Sequence, residues 1–336
     1  MARRFLHIKE PIPLIGHIAF GIVDRGTNLL QIRPSSFCPF SCIFCSVDAG
    51  PNSKNRQTEF YVEMSHLLRW IRWAVSAKGL EKIHAYIDAV GDPLMYPHLV
   101  ELIKRLRSQG FVETIAMETH GGLLNKKIVD ALDDAGLDRI NLSLDALDPQ
   151  KAKILSGMPW FDVNKVVEIA EYISSSLKMD LLIAPVWVPG YNDEEIPKII
   201  EFALRIGAGK RWPPLGIQKY EEHKYGRKPP GTKPMSWREF YEKLREWEKV
   251  YGVKLILSPE DFDIVKAERI PYAFREGERV GVRIVYWGWL KNQWLGVARN
   301  RIVTVVGVSG PPPIGMKIPV RILRVKDNIF IGKSLV

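Results

Sequence analysis

The stretch Phe37-Cys38-Pro39-Phe40-Ser41-Cys42-Ile43-Phe44-Cys45 holds every cysteine of a 336-residue chain. Its spacing is C-x3-C-x2-C, and it follows directly on an apolar run over 28–33 that reads as a short strand ended by Pro34. Three cysteines confined to eight positions are no disulfide framework for a chain of this length. Three thiolates in one loop suit a metal or an iron–sulfur cluster. Structural zinc wants four closed ligands, and the nearest histidine, His66, falls on a different predicted element. Packing is the bland alternative, but it leaves unexplained why no thiol occurs elsewhere.

Outward from this loop, strand-like and helix-like stretches alternate. Helical spacing of apolar residues marks 63–77, 98–109, 125–135, 163–174, 194–206 and 237–251, and Gly110 and Gly136 stop two of these helices. Strands are predicted over 82–90, 113–117, 139–144, 180–188, 215–219 and 253–258. Strands separated by helices imply right-handed crossovers and a parallel sheet, with functional loops at the strands' C-terminal ends. About six such units fall short of the eight that close a full barrel. The fold class expected is α/β, a partial (β/α)6 barrel or an open sheet.

The cysteine loop, its preceding strand and the aromatic Phe44 between the last two cysteines resemble the radical S-adenosylmethionine superfamily. Other segments match that family's pattern in order. Val90-Gly91-Asp92-Pro93 is similar to its Gly-Gly-Glu-Pro turn, with Val for the first Gly and Asp for Glu. Glu118-Thr119-His120-Gly121 resembles its polar-Asn-Gly turn, with His for Asn. Asn141-Leu142-Ser143-Leu144-Asp145, Val188-Pro189-Gly190-Tyr191-Asn192-Asp193 and Gln218 complete the series. The resemblance implies one [4Fe-4S] cluster on Cys38, Cys42 and Cys45, with one iron open to S-adenosylmethionine. It implies cofactor contacts from Phe44, Gly91, Asp92, Pro93, Glu118, Thr119, Ser143, Asp145 and Gln218. It also implies cleavage of the cofactor to a 5′-deoxyadenosyl radical and an electron donor such as ferredoxin or flavodoxin. Tyr86, Asp88 and His120 are candidates to sit near the radical, with no role set by spacing. With no fourth cysteine, a second all-thiolate cluster and dual-cysteine methyl transfer are excluded.

Beyond residue 270 short β-branched runs separated by Gly and Pro read as a small all-β module. The stretch 314–332 resembles the TRAM domain, a β-barrel of tRNA-modifying enzymes, and its strand count suits an OB-like barrel. The expected organisation is an N-terminal extension (1–26), the catalytic partial barrel (27–265) and the basic barrel (270–336). Residues 271–336 carry 11 Lys and Arg against 3 Asp and Glu, most of the chain's net +10. A concentrated basic excess points to a polyanion, most often nucleic acid. Arg321, Arg324, Lys326 and Lys333 are candidate phosphate ligands; Trp287, Trp289 and Trp294 could stack bases, while packing against the catalytic domain is the favoured reading for any one of them. A second basic-aromatic stretch over 210–231 offers Lys219, Lys224, Arg227 and Lys228 as an RNA clamp at the barrel mouth.

No run reaches the ~18 apolar residues of a membrane helix, and no cleavage site follows the apolar stretch 11–23, so a cytoplasmic protein is expected. The leading functional expectation is a radical enzyme that modifies RNA, with tRNA as the leading class, and it is weighed against two others. One is a radical enzyme acting on a small molecule or peptide; the other is a non-catalytic RNA-binding protein with a structural cluster.

Overall fold

The computed structural model describes residues 3–336. The segment before the cysteine loop supplies β1 (Arg4–Ile8), β2 (Gly21–Asp24) and β3 (Leu29–Arg33). After the loop come β4 (Thr58–Val62), α1 (Met64–Lys78), β5 (Ile83–Ile87), α2 (Leu99–Arg107), β6 (Val112–Thr119) and α3 (Lys126–Asp134). They are followed by β7 (Arg139–Leu142), α4 (Pro149–Ser156), α5 (Val163–Ser176), β8 (Asp180–Ile183) and β9 (Val186–Trp187). The unit ends with α6 (Glu195–Arg205), β10 (Gln218–Lys219) and α7 (Trp237–Tyr251).

The main sheet runs β2-β3-β5-β6-β7-β8, with β2 antiparallel to β3 and every later pair parallel. β9 pairs with β10 in parallel, and a bridge from Ile183 to Leu215 ties that pair to β8. Six parallel strand positions with intervening helices make the partial (β/α)6 barrel. The helices pack by their periodic apolar faces: Leu67, Ile71 and Val75 of α1 are buried, and Gly79 ends that helix in the left-handed conformation. Ser236 and Glu239 form a reciprocal capping box that starts α7.

One expected strand is absent and one helix was not expected. Residues 253–258 are not a strand, because Glu248 accepts the Leu255 and Ile256 amides at 2.8 and 2.9 Å and holds a loop there. Conversely, 149–156 is a helix: Asp148 caps it, Pro149 opens it and Gly157 stops it. Outside the main sheet, β1 pairs with β4 in parallel.

The C-terminal strands β11 (Arg279–Trp287), β12 (Gln293–Ala298), β13 (Arg301–Val306), β14 (Lys317–Arg324) and β15 (Ile331–Ser334) close into a barrel. Its order is β11-β12-β13-β15-β14. Val282, Ile284, Val303, Val320, Ile322 and Phe330 fill it. The barrel is also welded to the larger unit, since Trp289, Leu290, Leu295 and Ile302 join the main apolar core. Ile302 donates its amide to Ile15 at 2.8 Å, and Gln57 donates to the Leu290 and Gln293 carbonyls at 2.7 and 3.0 Å. Among the described residues no helix is long and apolar enough to cross a membrane.

Candidate functional site

A cavity of about 290 Å³ opens at the C-terminal ends of the parallel strands. Its size is near the lower end of small-molecule sites, ~300–1,000 Å³. Cys38, Cys42 and Cys45 line it from the loop after β3; Gly91 lines it from the turn after β5. Glu118 and His120 come from the end of β6, Ser143 from beyond β7, and Gln218 from β10. Residues about 180 positions apart thus converge on one mouth because each ends a parallel strand.

The cysteine loop is fastened from three sides. The C-terminus of α4 holds it by Ser41 and Ile43 amides donated to Ser156 and Leu155 carbonyls at 2.9 and 3.0 Å. Arg56 donates to the carbonyls of Ser36 (2.9 Å), Val47 (3.1 Å) and Val90. Arg227 donates to the Cys42 carbonyl at 2.9 Å and the Ala49 carbonyl, and pairs with Asp48 at 3.0 Å. The turn after β5 presses on the loop: the Asp92 amide donates to Phe37 O at 2.8 Å. A Cβ on Gly91 would lie 2.0 Å from that same carbonyl.

The Radical SAM superfamily pattern matches residues 32–203, half of the chain. An uncharacterized protein of Methanocaldococcus jannaschii, MJ0103, is 40% identical over 98% of this chain and 81% of its own length. The chain belongs to the radical SAM superfamily. A GTP 3′,8-cyclase of Chlorobaculum tepidum is 26% identical over 60% of this chain and 57% of its own, so the chain spans little more than half of that relative. Among solved structures, Streptococcus suis SuiB bound to S-adenosylmethionine superposes with a TM-score of 0.51 and 18% identity. That match covers 71% of this chain and 50% of the other.

Membership of the radical SAM superfamily implies a [4Fe-4S] cluster and S-adenosylmethionine. The donor set fits such a group. Burial, above all, pushes the Cys38 and Cys42 thiols up, with Asp92 adding to Cys38 and the neighbouring thiols to Cys42. Cationic iron would relieve that penalty by binding the thiolate. No three His, Cys, Asp or Glu among the described residues are placed to hold a single ion; a multi-iron cluster would not need the thiols to converge on one point.

The cofactor residues expected from the sequence divide into two sets. Phe44, Gly91, Glu118, Ser143 and Gln218 line the cavity. Asp92, Pro93, Thr119 and Asp145 do not, and their geometry explains why. Asp92 accepts from Leu94 N (3.0 Å), His120 N (3.1 Å) and the Thr119 hydroxyl (3.0 and 2.9 Å), lacing two strand ends together. Pro93 opens a single 3-10 turn behind it. Asp145 accepts the Val186 amide at 2.9 Å and lies 3.9 Å from His120 Nδ1; burial holds its carboxyl at about 6.

His120 puts Nε2 3.6 Å from Cys42 Sγ. Deeper in the barrel Tyr86 donates to Glu118 at 2.6 Å and accepts from Asn141 at 3.3 Å. Burial raises both the Glu118 carboxyl and the Tyr86 hydroxyl from their ordinary ranges. Asp88 is neutralised by Arg33 at 2.7 Å, which removes it as a free base.

Several expected RNA contacts are structural. Arg227 is bound up in the cysteine loop, and Lys219 is buried against Glu221 at 2.6 Å. Lys228 pairs with Glu222 at 2.6 Å, while Lys224 is exposed beside Tyr225. Lys210 donates to the carbonyls of Ile173, Leu177 and Met179. Trp289 and Trp294 are buried, and the Arg4 guanidinium lies 3.9 Å from the centre of the Trp287 ring. Sequence reasoning missed Arg56, Arg227's structural role and α4, all of which act by long-range contacts; only the Asp148-Pro149 and Gly157 caps were visible beforehand.

Proposed function

We propose that this radical SAM enzyme acts on a nucleoside within RNA, with tRNA as the leading class. In this reading Cys38, Cys42 and Cys45 hold one [4Fe-4S] cluster. The strand-end turns would hold S-adenosylmethionine, and a ferredoxin or flavodoxin would serve as the electron donor. The observation that carries the catalytic part is the meeting of all three thiols with Gly91, Glu118, Ser143 and Gln218 around one cavity. When bound, the two cofactors together would supply radical chemistry, the abstraction of a hydrogen atom from carbon.

The chain's own residues set the stage for that step. Phe40, Phe44, Val47 and Val90 give the cavity an apolar side that keeps water from a reactive carbon. The Ser143 hydroxyl and the backbone beside Gly91 offer hydrogen bonds to a polar cofactor. Tyr86 fixes the Glu118 carboxylate and holds a proton at Oη. Glu118 in turn presents an acceptor to a hydroxyl or amine of the substrate. RNA is supported by the basic excess of residues 271–336 and by the TRAM-like stretch 314–332.

A mononucleotide substrate is the second reading, favoured by the likeness to GTP 3′,8-cyclases. The test is anaerobic turnover of reconstituted, dithionite-reduced protein with S-adenosylmethionine, followed by 5′-deoxyadenosine release. Stimulation by unmodified tRNA, and a nucleoside mass change in that tRNA, supports the RNA reading. Stimulation by GTP alone moves the assignment to the second. No cofactor cleavage at all removes both.

A further inference from the structure

The outer wall of the C-terminal barrel sets like charges opposite one another. Arg279 of β11 stands opposite Arg321 of β14, and Arg321 stands opposite Lys333 of β15. Farther along the same strands Arg283 faces Lys317. All five side chains are exposed. Of the carboxylates of residues 271–336, Glu278 pairs with Arg299 at 2.5 Å, Asp327 pairs with Arg25 and Arg269, and the exposed Glu276 pairs with none of the five. None of the five has a carboxylate partner among the described residues.

Directly opposed residues have Cβ atoms only ~4.5–5.5 Å apart, and like charges so placed destabilise the sheet. The arrangement is therefore costly in the free protein and relieved by an anion with several regularly spaced charges. Between the two groups of cations lies the pair Gly281 and Pro319. A Cβ on Gly281 would meet only the flexible end of the Lys317 side chain, its Cε at 2.3 Å, so the glycine leaves room for that chain to lie across the strand pair. The result is a flat shelf with a cationic rim, a cavity of about 560 Å³ lined by Arg279, Gly281, Arg283, Arg299 and Lys317. Alternate residues on a strand are ~7 Å apart, a spacing close to that of successive phosphates on a nucleic-acid strand.

We infer that this wall seats the phosphodiester backbone of RNA, with Arg279, Arg283, Lys317, Arg321 and Lys333 as its phosphate ligands. The inference rests on the RNA reading above and places the docking surface on the barrel, rather than on the loop that carries Lys219 and Arg227. It extends the sequence-based set, of which Arg321 and Lys333 belong to the row. Arg324 and Lys326 lie past the irregularity in β14 and do not.

The experiment compares full-length wild type with R321E and R321Q, using an unmodified tRNA transcript and fluorescence anisotropy from about 50 to about 200 mM salt. Wild-type affinity should fall steeply, with a log–log slope of roughly −0.7 to −0.9 per phosphate engaged. Either variant should lower the slope by about one and weaken binding about tenfold at low salt. R321E places a carboxylate between Arg279 and Lys333, so its thermal midpoint without RNA should rise while binding falls. A merely structural role for Arg321 would lower both together. Dithionite-driven cleavage of S-adenosylmethionine measured without RNA should be unchanged in both variants, whereas its stimulation by tRNA should fall.

Wild-type slope and affinity in R321E and R321Q would overturn the docking surface and leave the RNA substrate standing. No tRNA binding by wild type at about 50 mM salt would overturn both. Polyglutamate or anionic vesicles binding as tightly as tRNA would overturn the choice of RNA.

Discussion

The Arg227 guanidinium meets the Asp48 carboxylate at 3.0 Å beneath the loop that carries all three thiols. Asp48 sits in the left-handed region at φ 49° and also accepts the Lys54 and Asn55 amides, both at 2.8 Å. Its carboxylate therefore organises the exit of the cysteine loop, and Arg227 clamps that exit to the Cys42 and Ala49 carbonyls.

Replacing Arg227 by Ala strands a buried carboxylate, and breaking a buried pair from one side costs about 3–5 kcal/mol. R227A should show a lower denaturation midpoint and a reduced iron-to-protein ratio after reconstitution. Its tRNA affinity should stay near wild type. A variant that keeps its iron and loses RNA binding would return Arg227 to the substrate clamp.

Gly91 meets a different constraint, close approach of backbone. A methyl group there would sit 2.0 Å from Phe37 O and 2.6 Å from Ser36 O, so G91A must push the turn off the cysteine loop. The expected result is loss of S-adenosylmethionine binding by calorimetry together with a lowered thermal midpoint. Gly190 provides the contrast: at φ 82° with open space around it, G190A bears only the backbone penalty of ~1–2 kcal/mol. Equal effects of the two substitutions would argue against the contact between turn and loop.

The Asp145 carboxyl, held at about 6 by burial, makes stability depend on pH in a defined sense. Its unfolded value is ~3.9, so between about pH 4 and 6 the folded chain binds the extra proton. Stability from this group is greatest below that window and falls as pH rises through it. D145N retains an acceptor for Val186 and removes the penalty. It should be about 2–3 kcal/mol more stable than wild type at pH 7, with the difference vanishing near pH 4. Urea denaturation across that range is the measurement, and a pH-independent difference would contradict it.

These contacts mark where sequence reasoning reached and where it stopped. The cysteine spacing and the 3.6-residue periodicity of stretches such as Leu67, Ile71 and Val75 are local signals, and the loop and helix they predict are present. Side-chain direction at a strand end is not local. Asp92 and Thr119 stand in family-like turns, yet they bond each other across two strands instead of facing the cavity. Arg227 reads as one more basic residue in a basic stretch, and only its meeting with a segment some 180 residues earlier reveals a clamp. Net charge showed the same limit: the basic excess was legible, but its alignment into opposed rows depended on strand register.

Asp24 and Lys78 offer the last test, far from the thiols. Both side chains are fully buried and meet at 2.6 Å. Asp24 also accepts the Gly26 amide at 2.9 Å and the Ile270 amide at 2.7 Å, and Lys78 donates to the Glu268 carbonyl at 2.5 Å. One ion pair thus joins β2, the end of α1 and the segment leading into the C-terminal barrel. D24N puts an amide NH2 among donors and leaves the ammonium without a counter-charge, a loss of about 3–5 kcal/mol. K78M leaves Asp24 with its two amide donors. The double variant should lose less than the two single variants combined, with a coupling of about 0.5–3 kcal/mol by urea denaturation. Strictly additive losses would show that the barrel's attachment does not pass through this pair.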